Sequence, residues 1–80
     1  MPQGPQPKHT VFANRLTIAR TRRGLRQIDL GHACGITAKG QMCKIEGGRL
    51  EPCLVHLTAI ARTLDVSVDW LLGISDKGGV

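Results

Sequence analysis

Apolar side chains recur along this chain at the spacing of α-helices. Phe12, Leu16 and Ala19 stand four and three positions apart and form one stripe of a first helix that begins near Thr10. Thr10 is a favourable N-cap residue, and Gly24 stands where a glycine commonly ends a helix. The pattern therefore predicts a first amphipathic helix that ends before Gly24.

A second helix is predicted over residues 27–34, with Leu30 and Cys34 on its inward face. Gly35 is placed to make the turn that follows it, and Ile36 is expected to insert into the core beside that turn.

A third helix is predicted over residues 37–46. Thr37 is a favourable N-cap residue, and Met42 and Ile45, three positions apart, form the inward face. Two short helices joined by a turn are thus expected in the middle of the chain.

The second half of the chain predicts a loop and two further helices. Glycine and proline mark residues 47–52 as a loop, and a fourth helix follows from about Cys53. Ser67 is expected to cap a short fifth helix that Gly73 ends, with Trp70 in the core. The fourth helix has the clearest apolar stripe in the chain, formed by Leu54, Leu57, Ile60, Ala61 and Leu64.

The pattern predicts one all-α domain of five helices over residues 10–74. Three prolines within residues 1–9 indicate a flexible N-terminal tail, and the glycine-rich residues 75–80 are predicted to be a flexible C-terminal tail. Eighty residues allow one domain with a small core, which must be aliphatic because Phe12 and Trp70 are the only aromatic residues.

The charge balance suggests a polyanionic partner. Eleven Lys and Arg residues stand against six acidic ones, a net charge of +5. The alternative is that this modest excess serves only solubility. The chain shows neither a signal peptide nor an apolar membrane span, and three cysteines do not suggest a disulfide scaffold, so a reducing, cytoplasmic location is expected.

The segment from Gln27 to Arg49 has the organisation of a helix-turn-helix unit, whose second helix enters the major groove of DNA. Side chains at the edges of such a unit hold the DNA phosphates. Gln27, at the start of the second helix, and Arg49, after the third, stand at such edges.

An ordered set of residues from about Arg15 to Asp76 resembles the Cro/C1-type phage repressor domain, also called the XRE family. The resemblance implies a five-helix, lambda-repressor-like domain that binds operator DNA as a homodimer, and an ion pair between Arg20 and Glu46. The matching residues are Gly24-Leu25-Arg26-Gln27, Leu30, Gly35-Ile36-Thr37, Lys44-Ile45-Glu46, Gly48-Arg49, Pro52, Leu54, Leu57 and residues 65–72.

One residue more than the usual family spacing lies between Gly35 and Ile45, and it must fall within residues 37–41. Gly40 marks a place where an irregular backbone is tolerated. Lys39 occupies a base-facing position whether positions are counted forward from Gly35 or backward from Ile45. Lysine side chains pair with guanine, and glutamine side chains pair with adenine. Counted from Gly35 the base-facing positions are Ala38, Lys39 and Cys43; counted from Ile45 they are Lys39, Gly40 and Lys44, with Gln41 beside them.

The predicted base contacts are therefore Lys39, Gln41, Lys44 and Ala38. The predicted phosphate contacts are Arg26, Gln27, Thr37 and Arg49, and the alternative for these is solvated surface charge.

The sequence gives little support for metal binding, cofactor binding or enzyme activity. The cysteines form no C-x-x-C pair, and His32 with Cys34 or Cys53 with His56 are weak pairs, so no metal or other cofactor is expected. No phosphate-cradling loop, nucleophile–base pair or small-molecule site is evident, so the chain is not expected to be an enzyme. A sequence-specific repressor is the favoured function. An antitoxin-like partner of a toxin and a controller protein of a restriction–modification locus remain open.

Overall fold

The computed structural model describes residues 10–79. Within that range it contains five α-helices and no strand, which confirms the predicted all-α class. The predicted tail over residues 1–9, the predicted capping side chain of Thr10, and Val80 lie outside the part that is described. The helices are α1 (Thr10–Arg22), α2 (Gln27–Cys34), α3 (Gln41–Glu46), α4 (Leu54–Leu64) and α5 (Val68–Leu72).

One aliphatic core joins all five helices. The predicted stripe of α1 is buried, with Leu16 and Ala19 at 0% exposure. Leu30 on α2, Ile45 on α3 and Ile60 on α4 are equally inaccessible. Helix α1 packs against both α3 and α5, and α2 packs against α4 and α3. The inward positions of the apolar pattern therefore meet at one centre, since removing apolar area from water is the main favourable term in folding.

Helix α2 and its turn follow the sequence prediction. The helix spans Gln27–Cys34, and Gly35 ends it in the left-handed conformation, with φ 77° and ψ 19°. Ile36 is 3% exposed and fills the core beside the turn. Cys34 is also buried, and burial raises the pKa of its thiol, so this side chain packs as a small neutral hydrophobe.

The prediction of a helix over residues 37–46 was wrong at its start. Helix α3 begins only at Gln41, and its N-cap is Gly40, in the left-handed conformation with φ 76°. Thr37 is exposed and lies before the turn, so it does not cap this helix. The inward residues Met42 and Ile45 are buried as predicted. Residues 37–40, which make up most of the range where the additional residue is predicted, thus lie outside the helix.

The stripe of α4 is buried only in part. Ile60, Ala61 and Leu64 are in the core and Leu57 packs against it, but Leu54 is 77% exposed. The prediction that Leu54 faces the core was therefore wrong. It stands in the first turn of α4, over a shallow groove that the small Ala33 of α2 leaves uncovered.

Helix α5 has the predicted caps. The Ser67 hydroxyl accepts a hydrogen bond from the Trp70 N–H at 3.0 Å, and Gly73 ends the helix with φ 81°. Trp70 is 8% exposed, as expected of a core residue.

Residues 75–79, predicted as a flexible tail, fold back onto α5. The Ser67 N–H donates to the Gly78 carbonyl at 2.7 Å, and the Ser67 hydroxyl donates to the Lys77 carbonyl at 3.3 Å. A Cβ on Gly79 would overlap the Trp70 ring, so only glycine lets the backbone pass so close to it.

Arg15 joins this C-terminal segment to α1. Its guanidinium donates to the carbonyls of Trp70 at 2.6 Å and Ser75 at 2.9 Å, and pairs with the Asp76 carboxylate at 2.9 Å. The same group lies 5.1 Å from the centre of the Trp70 ring, within the range of a cation–π contact. These contacts of Arg15 could not be predicted from the local sequence pattern, because its partners lie 55 or more positions away along the chain.

None of the helices within residues 10–79 has the length and apolarity that crossing a bilayer requires. The longest has 13 residues.

Replacing Arg15 with methionine should destabilise the fold. The variant keeps the length of the side chain and removes its charge-assisted hydrogen bonds, so the free energy of unfolding should fall by about 1–3 kcal/mol. Urea denaturation measures the change. Arg22→Met, at the exposed end of the same helix, is the matched control and should shift stability by less than about 0.5 kcal/mol. Equal midpoints for the two variants would contradict the role given to Arg15.

Candidate nucleic-acid interface

Helices α2 and α3 and the turn between them form a helix-turn-helix unit whose outer surface is uncovered and carries two exposed lysines. Ala38, Lys39 and Lys44 are exposed, and Gln41 is partly buried at the start of α3. Neither lysine has an ion-pair partner within residues 10–79. This surface therefore carries positive charge that the domain itself does not neutralise.

The four predicted base-facing residues come from two kinds of backbone. Gln41 and Lys44 are three positions apart on α3, so they share one face of the helix, while Met42 and Ile45 face the core. Ala38 and Lys39 lie in the turn before α3. The apolar pattern predicts all four on one helix, but the structure places two in the turn and two on α3.

Arg26 stands at the N-cap of α2 and is held by Asp29. Its Nε and Nη2 each donate to the Asp29 carboxylate at 3.0 Å, and the Arg26 backbone N–H donates to the same carboxylate at 3.0 Å. The hydrogen bond from Arg26 lowers the pKa of Asp29, and the same bond raises the pKa of Arg26. The guanidinium is thus oriented at the start of α2 while it stays exposed to solvent.

The other three predicted phosphate contacts differ in their surroundings. The Gln27 amide donates to Glu46 at 3.2 Å, so this side chain ties α2 to α3. Thr37 is exposed just before the turn that precedes α3. Arg49 is exposed beyond the end of α3, and its backbone N–H donates to the Lys44 carbonyl at 3.0 Å.

Arg20 and Glu46 form the ion pair that the family resemblance implies. Arg20 Nε lies 2.5 Å from Glu46 Oε2, and Arg20 Nη2 donates to Glu46 Oε1 at 3.2 Å. The two side chains are 17% and 5% exposed, so this pair lies almost entirely inside the protein. Thr17 donates to Glu46 Oε1 at 3.1 Å, and Arg20 Nη1 donates to the Leu25 carbonyl at 2.6 Å.

Three members of this network are not predicted by the sequence pattern. Thr17, Leu25 and the amide of Gln27 complete the hydrogen bonding of the pair. Thr17 stands three positions before Arg20 on α1, a spacing that places both on one helix face and is the available sequence signal. The Leu25 carbonyl is a backbone group, so its hydrogen bond to Arg20 cannot be predicted from the type of side chain at that position.

Comparison with known proteins supports this assignment of the unit. No family model matches the chain. It is 40% identical over 62 residues to the HTH-type transcriptional regulator YonR of Bacillus subtilis, derived from the SPbeta prophage. The match covers 78% of this chain and 56% of YonR, so the chain spans little more than half of that relative.

Solved structures share the fold. The restriction–modification controller protein C.AhdI from Aeromonas hydrophila is 28% identical, with a TM-score of 0.70 over 79% of this chain and 94% of its own. The clp gene regulator ClgR from Corynebacterium glutamicum is 25% identical, with a TM-score of 0.73 over 85% of this chain and 72% of its own. The chain therefore has the helix-turn-helix fold of these regulators, which agrees with its resemblance to the Cro/C1 type. A hypothetical transcription factor, NHTF from Neisseria, shares the fold at 22% identity, with a TM-score of 0.72 over 90% of this chain and 84% of its own.

YonR is named a transcriptional regulator, ClgR a gene regulator and C.AhdI a controller protein, and these non-enzymatic names agree with the expectation that the chain is not an enzyme. Cys43 and Cys53 are exposed free thiols. Cys53 is the N-cap of α4 and its side chain makes no capping hydrogen bond. Among residues 10–79, no three His, Cys, Asp or Glu side chains are arranged to hold a metal ion.

Replacing Glu46 with glutamine should destabilise the domain strongly. Arg20 would lose its counter-charge while remaining mostly buried, and we expect the free energy of unfolding to fall by about 2–4 kcal/mol. Chemical denaturation followed by circular dichroism measures the change.

The matched control is Asp65→Asn, which breaks the exposed pair between Arg23 and Asp65. An exposed pair contributes little, so this change should stay below about 1 kcal/mol. If both variants lost the same free energy of unfolding, the buried Arg20–Glu46 pair would stabilise the domain no more than the exposed pair does.

Proposed function

We propose that this domain binds a specific sequence of double-stranded DNA and regulates transcription, with α3 and residues 37–40 in the major groove. The observation that carries the proposal is the unneutralised polar surface around the start of α3, where Lys39, Gln41 and Lys44 are displayed on a well-anchored scaffold. In helix-turn-helix proteins the residues at the start of the second helix contact the base edges.

The chemistry of these side chains fits base recognition. Lysine donates to the O6 and N7 acceptors of guanine, and glutamine can pair with the N6 and N7 atoms of adenine. Ala38, exposed next to Lys39, offers a methyl group for contact with the methyl group of thymine. These four residues are the proposed base contacts.

Phosphate contacts would come from the edges of the same surface. A guanidinium has five N–H donors, and Asp29 occupies two of those on Arg26, which leaves three for a phosphate. Gln27, Thr37 and Arg49 flank the same unit and are the other proposed contacts. The net charge of +5 favours approach to DNA as a whole.

We further propose that the domain acts as a homodimer and a repressor on an inverted-repeat operator. Apolar side chains are exposed at the end of α5, where Leu72 is 45% and Ile74 is 72% accessible. Val11, 50% exposed, lies beside Gly73 and extends this surface. A two-fold dimer through this surface would bind half-sites about one helical turn apart.

Control of a restriction–modification locus is the second candidate function. It is favoured by the likeness to C.AhdI, named as a restriction–modification controller protein, of which this chain covers 94%. Both candidates require the same DNA-binding surface and differ in the genes that are regulated.

Selection from a randomised DNA pool at fixed salt concentration tests the proposal. We expect an inverted repeat to be enriched, because a two-fold dimer presents its surface twice. Enrichment of a single half-site would support DNA binding and exclude the dimer. A pool that remains random after repeated rounds would contradict sequence-specific binding. Selection from fragments of the source genome then identifies the regulated locus and separates the two candidates.

Replacing Lys39 with alanine should reduce specificity as well as affinity. We expect binding to the selected site to weaken by about tenfold or more, and binding to random DNA to weaken much less. Lys77→Ala removes the same charge from the C-terminal segment and is the matched control, with little effect on either affinity. An equal loss on selected and random DNA would make Lys39 a phosphate contact.

A further inference from the structure

The segment before α3 is a defined β-turn. The Ala38 carbonyl accepts a hydrogen bond from the Gln41 N–H at 3.1 Å, which closes a four-residue turn. Gly40 has φ 76° and ψ −4°, while Lys39 has negative φ, since Asp65 is the one non-glycine residue with positive φ within residues 10–79. These angles fit a type II turn, which requires a glycine or asparagine at the position of Gly40.

The turn is bounded by two buried side chains. Ile36 is 3% exposed and Met42 is 6% exposed, so the chain is anchored in the core on either side. Residues 37–40 are all exposed between these anchors. A Cβ on Gly40 would meet no atom within 4 Å, so the demand for glycine there comes from the backbone conformation alone.

A competing backbone exists for the same residues. If residues 37–40 were helical, α3 would become the ten-residue helix that the sequence pattern predicts. In that helix Lys39 would lie between the buried Met42, three positions on, and the exposed Cys43, four positions on, so its position relative to Gln41 and Lys44 would differ from that in the turn. The turn instead keeps Lys39 exposed, on the surface that also carries Gln41 and Lys44.

We propose that Gly40 is a positioning residue for DNA recognition: its left-handed conformation starts α3 at Gln41 and keeps Lys39 on the DNA-facing surface. The inference rests on the proposed DNA binding, which supplies the role of Lys39. Gly40 itself touches no base in this scheme and acts through the backbone.

Substitutions at position 40 separate the two backbones. Gly40→Ala disfavours positive φ and favours the helix, whereas Gly40→Asn tolerates positive φ and is the matched control. We expect the asparagine variant to select the parent sequence with affinity within about threefold. The alanine variant should select different bases, or bind the parent site at least about tenfold more weakly, with random-DNA binding changed less than about twofold. A folded alanine variant that binds the parent site as tightly as the parent would overturn the proposal.

A D-alanine at position 40, introduced by chemical synthesis, covers the case in which the L-alanine variant fails to fold. A D-residue prefers positive φ, so it should hold the turn and retain the parent site with equal or higher affinity. Loss of that site by a folded D-alanine protein would also overturn the proposal.

Backbone chemical shifts of residues 37–40 distinguish a failure of this inference from a failure of DNA binding. They should report a turn in the parent and the D-alanine protein, and helix in the L-alanine variant. If the parent enriches no sequence, the proposed function fails, and helical shifts in the alanine variant would still support the conformational role of Gly40. Turn shifts in that variant would contradict it.

Discussion

The carboxylate of Glu46 is almost completely removed from solvent, and the relative placement of three helices depends on how it is neutralised. Arg20 and Thr17 of α1 and Gln27 of α2 all donate to it, while Arg20 also holds the Leu25 carbonyl between those helices. An uncompensated buried charge costs several kcal/mol. A shift of α3 against α1 or α2 would break these bonds, so the network fixes the orientation of the surface proposed to contact DNA.

The apolar core packs around this network, but it is small. It is aliphatic apart from Phe12 and Trp70, and a domain of this size buries a modest share of its surface. The C-terminal segment adds to the core by covering Trp70, and Arg15 holds that segment through two hydrogen bonds and α5 through a third. Distant parts of the chain thereby stabilise α5, which has only five residues and would be marginal alone.

The helix-turn-helix unit contains both residues that are buried in the core and a stretch that is exposed to solvent. Ile36, Met42 and Ile45 are buried and fix both the turn and the helix to the core. The residues between Ile36 and Gln41 are exposed, so their side chains can change without loss of packing in the core. One scaffold can therefore carry different side chains on the surface proposed to contact DNA.

The sequence by itself determined which segments are helical, because helix stripes, capping residues and stop glycines are local properties. The bounds of α2 and the cap at Ser67 follow from it directly. Tertiary structure decided where α3 begins, since the local pattern of residues 37–40 is compatible with helix or turn. The turn is found where Ile36 and Met42 are both buried and Gly40 between them is left-handed. Tertiary structure also left Leu54 exposed. The apolar stripe of α4 could not predict this exposure, because a stripe does not show how much of it the neighbouring helix covers. Contacts between residues far apart in the chain, such as Arg15 with Asp76, have no local signal and exist only once the fold has formed.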